Sequence, residues 1–230
     1  MSTHQAKGIS AVLAVTLVLT LGAVALAQTG LEKTKIAIDI PALQGNVTVD
    51  GVLNESVWSN ALQITIPEML YTSVDPSDLS GDAFIFWNNS GLYVGIRVTD
   101  DDLKFVGTRD DLWAYDSVSL WLNNLWIQAG RDDQGNARAR LDYLDGFPPF
   151  ESEYQVAVVT NDSGYVVELF VPGRVIAEVL GIEWAAGAQF AFAVGLSDRD
   201  GEERSSVSPR YFPNWFGWNN TENMATATLK

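Results

Sequence analysis

Two stretches of the chain end a strand-like alternation on acidic and aromatic residues. The first, residues 92–99, runs into Asp100-Asp101-Asp102. The second starts at Asp111, passes through Trp113 and Asp116, and enters the alternating segment 117–122. Carboxylates at a strand end offer the oxygen ligands a hard cation such as Ca²⁺ requires. An indole beside them offers a flat apolar face to the C–H groups of a sugar ring, while Asp, Asn, Gln or Arg can bond its hydroxyls. Both stretches therefore describe the rim of a sheet protein suited to holding a sugar or a metal.

Further acidic clusters lie at Asp110-Asp111, Asp132-Asp133 and Asp198-Arg199-Asp200-Gly201-Glu202-Glu203. Asp198-x-Asp200-Gly201 resembles the start of a calcium loop without the remaining spacing of an EF-hand. Mutual repulsion among Asp100, Asp101 and Asp102 would be relieved by a cation or an arginine. Asp100, Asp102, Asp198 and Asp200 are the expected ligands of a structural Ca²⁺. The alternative reading of each cluster is a solvated turn.

The chain has eight Trp. Trp58, Trp87 and Trp121 sit in amphipathic patterns and are expected in the core, with Trp184 covering its edge. Trp113, Trp126, Trp215 and Trp218 lie among Asn, Asp and Gly in stretches that read as loops. There a tryptophan can serve as a sugar platform or simply as a rim hydrophobe.

Composition excludes several chemistries. The net charge is −15, with 14 basic and 29 acidic residues. Nucleic acid and anionic membrane surfaces are poor partners for such a chain, whereas a neutral glycan or a cation is compatible. The one histidine is His4, and cysteine is absent. A Ser-His-Asp triad, a His-ligated zinc, a thiol nucleophile and disulfides are thereby ruled out for the folded part. A glycosidase would need two carboxylates facing across a cleft, and the sequence singles out no such pair.

Lys7, the apolar run 9–26 and the small-residue pattern Ala25-Leu26-Ala27 predict a signal peptide over 1–27, cleaved before Gln28. The product would be secreted, to the periplasm, the cell surface or the medium, with no membrane attachment after cleavage. An uncleaved anchor is the alternative, since the run approaches spanning length. Residues 28–35 are expected to be a flexible lead, and 36–230 one domain.

That domain reads as all-β: an antiparallel β-sandwich, jelly-roll-like, with one or two short helices. Strands are expected at 36–40, 47–49, 63–66, 83–87, 92–99, 117–122, 138–143, 153–160, 165–171, 190–197 and 225–229. Turn formers such as Asp50-Gly51, Asn161-Asp162-Ser163-Gly164 and Asp200-Gly201 separate them. Short helices are expected at 54–60, capped by Asn54, and at 174–180, stopped by Gly181. Residues 69–82, 104–115 and 125–136 read as long polar loops at the ends of the sandwich.

From about residue 38 to 229 the chain resembles the family 9 carbohydrate-binding modules and their wider DOMON-related sandwich superfamily. Four places carry the likeness: Asp50-Gly51-Val52-Leu53-Asn54-Glu55-Ser56-Val57-Trp58; Tyr93 to Asp102; Trp113-x-x-Asp116-Ser117-Val118; and Val167-Glu168-Leu169-Phe170-Val171-Pro172 with Asp198 to Gly201. The resemblance implies a sugar held between two tryptophans, and structural calcium. By position Trp113 is the first platform, and Trp215 or Trp218 the second. Asp116, Arg138 and Arg140 would supply polar contacts. Ser119 stands where many relatives have Glu.

The resulting expectation is a secreted, non-catalytic protein that binds an oligo- or polysaccharide on loop tryptophans. The alternative is a structural or adhesive surface protein that assembles through its sandwich.

Overall fold

The computed structural model describes residues 36–66, 74–105, 109–143, 153–203, 205–207, 221 and 224–230. Residues 1–34 and 35–230 form separate units; the second is described below. The expected signal peptide and lead, together with Trp215 and Trp218, lie outside the described residues.

Twelve strands occur among the described residues. They are β1 (Ala37–Ile40), β2 (Leu62–Ile66), β3 (Leu79–Asn88), β4 (Gly91–Asp100), β5 (Ser117–Leu122), β6 (Leu125–Arg131), β7 (Ala137–Tyr143), β8 (Gln155–Asn161), β9 (Gly164–Pro172), β10 (Gln189–Asp198), β11 (Ser205–Val207) and β12 (Ala225–Leu229). They build two sheets. The seven-stranded sheet has the order β1-β12-β10-β5-β6-β7, with β11 also on β10, and the five-stranded sheet the order β2-β3-β4-β9-β8. All pairings are antiparallel except β1 with β12. The described residues thus form an all-β sandwich with one short α-helix.

Period-two alternation drives this arrangement, because successive strand side chains point to opposite faces. Val94, Ile96 and Val98 of β4, Leu120 and Leu122 of β5, Val167 and Leu169 of β9, and Val194 and Leu196 of β10 join one buried cluster between the sheets. Each fully buried aliphatic side chain contributes about 1.5–3 kcal/mol. One end is plugged by α1 (Gly173–Leu180), which buries Val175 and Ile176. Gly181 ends it in the left-handed conformation at φ 67°, which glycine adopts without the steric cost of a Cβ. Trp184 packs edge-on to Trp87 at 5.8 Å, and its indole N–H donates to the Asn88 carbonyl.

Three expectations are corrected. Residues 47–49 form no strand; they belong to a coil that lies on the outer face of the five-stranded sheet. The expected helix at 54–60 is a 3₁₀ turn, Ser56–Asn60, preceded by Glu55 and not capped by Asn54. Residues 125–131, expected in a loop, form β6. Its Leu125, Ile127 and Ala129 alternate inward to the core, while Trp126, Gln128 and Gly130 diluted the apolar signal.

The coil on the outer face is held by a buried carboxylate. Glu168 on β9 is fully buried, and its Oε2 accepts the backbone N–H groups of Asp50 and Gly51, both at 2.9 Å. Burial pushes the Glu168 carboxyl above its usual range. Gly51 has φ 85°, and a Cβ there would lie 2.5 Å from the Val159 side chain. Beneath the coil, Trp58 meets Phe86 edge-on at 5.1 Å and Phe86 stacks on Tyr93 at 4.8 Å.

Candidate functional site: a carboxylate cluster at the strand ends

Three strand ends converge. Asp100 closes β4, Asp198 closes β10, and Asp116 immediately precedes β5. Since Ser117 pairs with Ser197 across β5 and β10, Asp116 and Asp198 flank the end of that ladder. Carboxylate oxygens of Asp100, Asp116 and Asp198 lie within 4.8 Å of one another, and so do those of Asp78, Asp198 and Asp200. Asp198 belongs to both groups.

Protein donors satisfy only part of this charge. Asp116 accepts the backbone N–H of Lys104 on Oδ2 and that of Arg199 on Oδ1. Asp100 Oδ1 accepts the N–H of Asp102, and Asp198 Oδ2 accepts the Ser205 hydroxyl at 2.7 Å. Asp100 Oδ2, Asp198 Oδ1 and Asp200 Oδ1 are buried without a hydrogen-bond donor. Asp100, Asp116 and Asp198 are each at most 4 % exposed. Burial, then the neighbouring charge of Asp198, pushes the Asp100 carboxyl up to about 7. Burial and the charge of Asp100 push Asp116 up to about 8. Asp198 is raised, chiefly by burial, and so is Asp78, by burial and then the charge of Asp198. Buried like charges at this spacing are costly unless neutralised. Oxygen donors lacking a partner and directed at one another are the ligand set of a hard cation. The residues present therefore fit Ca²⁺.

Of the residues expected at a cation, Asp100, Asp198 and Asp200 are brought together. Asp102 is not; its side chain is 55 % exposed and pairs with Lys104. Asp116, read from the sequence as a sugar contact, instead joins the carboxylates. Asp78 was missed, because it lies in a polar stretch with no spacing signal; only the fold carries it to Asp198.

Trp113 is 39 % exposed on the 3₁₀ segment Arg109–Ala114 that leads to Asp116. Its neighbour Leu112 is fully buried and anchors that segment. The Ser117 hydroxyl donates to the Leu112 carbonyl at 2.7 Å, and the Asp116 N–H to that of Lys104 at 3.1 Å. The segment that carries Trp113 is thereby anchored by a core residue just before it and by Asp116 three residues after it.

Arg138 and Arg140 sit on β7, in the same sheet as β5. Arg140 continues a row with Gln128, Ser119 and Gly195, and Arg138 a row with Gly130, Ser117 and Ser197. Ser119 and Gln128 are fully buried. Arg138 pairs with the buried Asp132 at 2.5 Å, so part of its charge is committed to the β6–β7 turn. Trp126 is stacked on Trp121 at 6.0 Å.

The fold has a clear parallel in known proteins. Residues 49–230 match the model of the carbohydrate family 9 binding domain-like family. The chain belongs to that family. The solved structures that share its fold include two of a family 9 carbohydrate-binding module from Caldicellulosiruptor kristjanssonii. The one in complex with cellotriose has 17 % identity and a TM-score of 0.64, covering 84 % of this chain and 93 % of that one. The one in complex with glucose has 16 % identity and a TM-score of 0.62, covering 84 % and 96 %. No curated protein matches the chain. The family is one of carbohydrate-binding modules, which are usually non-catalytic.

Proposed function

We propose that this chain is a secreted, non-catalytic carbohydrate-binding protein that stacks a sugar on Trp113 and is stabilised by Ca²⁺ at the strand-end carboxylates. Family membership supports the ligand class, and the relatives with cellotriose and glucose point to a glucan. The observation that carries the site is an exposed Trp113 on a segment whose Leu112 and Asp116 are buried. Rigid placement of an aromatic platform lowers the ordering cost of binding. Arg140, half-buried on β7, supplies donors to the sugar hydroxyls, and Arg138 adds a charge at the rim. The second platform, Trp215 or Trp218, rests on the family resemblance. Secretion rests on the leader-like segment 1–27.

Calcium would be held by Asp100, Asp116 and Asp198, with Asp78 and Asp200 forming an adjoining group through the shared Asp198. It neutralises carboxylates that otherwise repel, and so fixes the segment that carries Trp113. Intrinsic tryptophan fluorescence titrated with glucose and cellotriose, with and without Ca²⁺, tests the reading. A saturable shift that is lost in Trp113→Ala supports it; no response to either sugar in Ca²⁺ sinks it.

One observation favours a second reading, assembly through a sheet edge. β8 ends the five-stranded sheet, and its sequence Gln-Val-Ala-Val-Val-Thr-Asn contains neither charge nor proline, the devices that blunt edge strands. Sedimentation velocity over a range of protein concentrations tests it; a monomer throughout removes it.

A further inference from the structure

The outer face of the five-stranded sheet is divided in two. One half is roofed by the coil around Trp58. The other is an open groove of about 590 Å³, within the range of small-molecule and glycan sites. Its floor is set by strand register. Thr65, Asp82, Arg97 and Val166 form one continuous row across β2, β3, β4 and β9. Ser80, Thr99, Gly164 and Asn161 form the next row across β3, β4, β9 and β8. Each row spans three strand spacings, about 14 Å, which is room for more than one sugar unit rather than for a single ring.

The chemistry of this floor is specific. Asp82 and Arg97 are direct cross-strand partners, yet each is turned to other groups. Asp82 Oδ1 accepts the Thr65 hydroxyl at 2.7 Å and the Gln63 amide at 3.3 Å. The Arg97 guanidinium lies over the Phe84 ring at 4.8 Å and reaches the Leu53 carbonyl at 3.4 Å. Of the five N–H donors of a guanidinium, one is used this way, and a carboxylate has a second oxygen to offer. The two rows thus present one carboxylate, one guanidinium, three hydroxyl side chains and an amide, with Val166 as apolar contact. A chain of net charge −15 has here a face whose own charges cancel. That suits a neutral polyhydroxylated ligand and neither a polyanion nor a polycation.

We propose that this groove is a second carbohydrate surface, binding the interior of an extended neutral polysaccharide chain across the strands, on the sheet opposite Trp113. The inference rests on the chain being a carbohydrate-binding protein. Without an indole platform in the groove its affinity is lower than at Trp113. Its contribution comes from adding a second contact to the same polymer, which raises avidity without new chemistry.

The test is a backbone amide NMR titration of the Ca²⁺-loaded protein with cellohexaose, xylohexaose and mannohexaose, each to about 10 mM, which detects weak binding of a few kcal/mol. The expected result is saturable shifts at residues 80–82, 97–99 and 161–166 with at least one hexasaccharide. These shifts persist in Trp113→Ala. They weaken by at least about tenfold, or 1.4 kcal/mol, in Arg97→Met/Thr99→Val, which keeps the stem over Phe84 and the shape of residue 99. The same loss in Asp82→Asn, which retains an acceptor for Thr65, guards against a folding artefact in the double variant. Shifts confined to the Trp113 region overturn the proposal and leave the primary site standing. No shifts anywhere overturn both readings. Shifts in the groove that grow with protein concentration without sugar assign the face to a second copy of the chain, and overturn it as well.

Discussion

Asp116 Oδ1 accepts the backbone N–H of Arg199 at 3.0 Å, joining residues 83 positions apart in the chain. The bond ties the start of β5 to the end of β10 at the point where the carboxylates meet. Trp113, three residues before Asp116, is thereby linked to the cluster, so the state of the cluster bears on the proposed sugar platform.

The cluster makes the calcium-free protein sensitive to alkali. Asp100 and Asp116 have carboxyls raised to about 7 and about 8, first by burial. A carboxyl raised on folding stabilises the fold below its ordinary value, and that contribution is lost as pH rises through the raised one. In EDTA the melting temperature should therefore fall between about pH 5 and about pH 8. With Ca²⁺ bound to the ionised oxygens it should hold or rise, by about 2–4 °C per kcal/mol of stabilisation. Thermal melts at the two pH values with each additive check this; equal melts in EDTA at both would remove the cation role.

Asp198 belongs to both carboxylate groups, so Asp198→Asn should weaken Ca²⁺ binding by at least about tenfold, about 1.4 kcal/mol. Asp102→Asn, at an exposed pair with Lys104, should change it little, since such pairs are worth about 0–1 kcal/mol. Isothermal titration calorimetry with CaCl₂ compares the two. Equal effects would contradict the assignment.

Trp113→Ala should lower sugar affinity by about tenfold or more while leaving the melt almost unchanged, because the side chain is 39 % exposed. Leu112→Ala, at a fully buried position, should instead cost about 2–5 kcal/mol of stability. Urea unfolding beside the fluorescence titration separates the two roles. A large stability loss in Trp113→Ala would recast it as a packing residue.

Gly51→Ala should destabilise the protein by about 1–2 kcal/mol from its left-handed backbone alone, and by more because its Cβ would meet Val159. Glu168→Ala leaves the N–H groups of Asp50 and Gly51 without their acceptor, at about 1–3 kcal/mol. Glu168→Gln keeps an acceptor and should cost less. Chemical denaturation ranks the three; Gln as damaging as Ala would mean that the charge itself matters.

Much of the sandwich was legible because its strands alternate cleanly. Ser117–Leu122 and Ala225–Leu229 fall where the pattern places them. β6 was obscured by what its outer face carries: Gln128 and Gly130 are buried, and Trp126 half-buried, on a sheet surface rather than in the core between sheets, so their polarity reads as loop. The coil at 43–61 was read as strand and helix because its apolar residues cover Phe86 and Tyr93, a demand imposed by tertiary structure. In the candidate site, Asp100, Asp198 and Asp200 were legible from local acidic density. Asp78 was not, because its part depends on approach to a strand end more than a hundred residues away. Asp116 was read by its neighbour Trp113, whereas its buried oxygens face the other carboxylates.

The parallel pairing of β1 with β12 has a mechanical consequence. Thr226 donates to the Ile36 carbonyl, Lys230 to that of Ile40, and Ala42 to that of Lys230. Because the two strands run the same way, tension applied at residues 36 and 230 pulls them along their length in opposite directions. Those hydrogen bonds are then loaded together in shear, not peeled one at a time. A protein gripping a polymer under flow would resist rupture at this seam in proportion to the number of bonds broken at once.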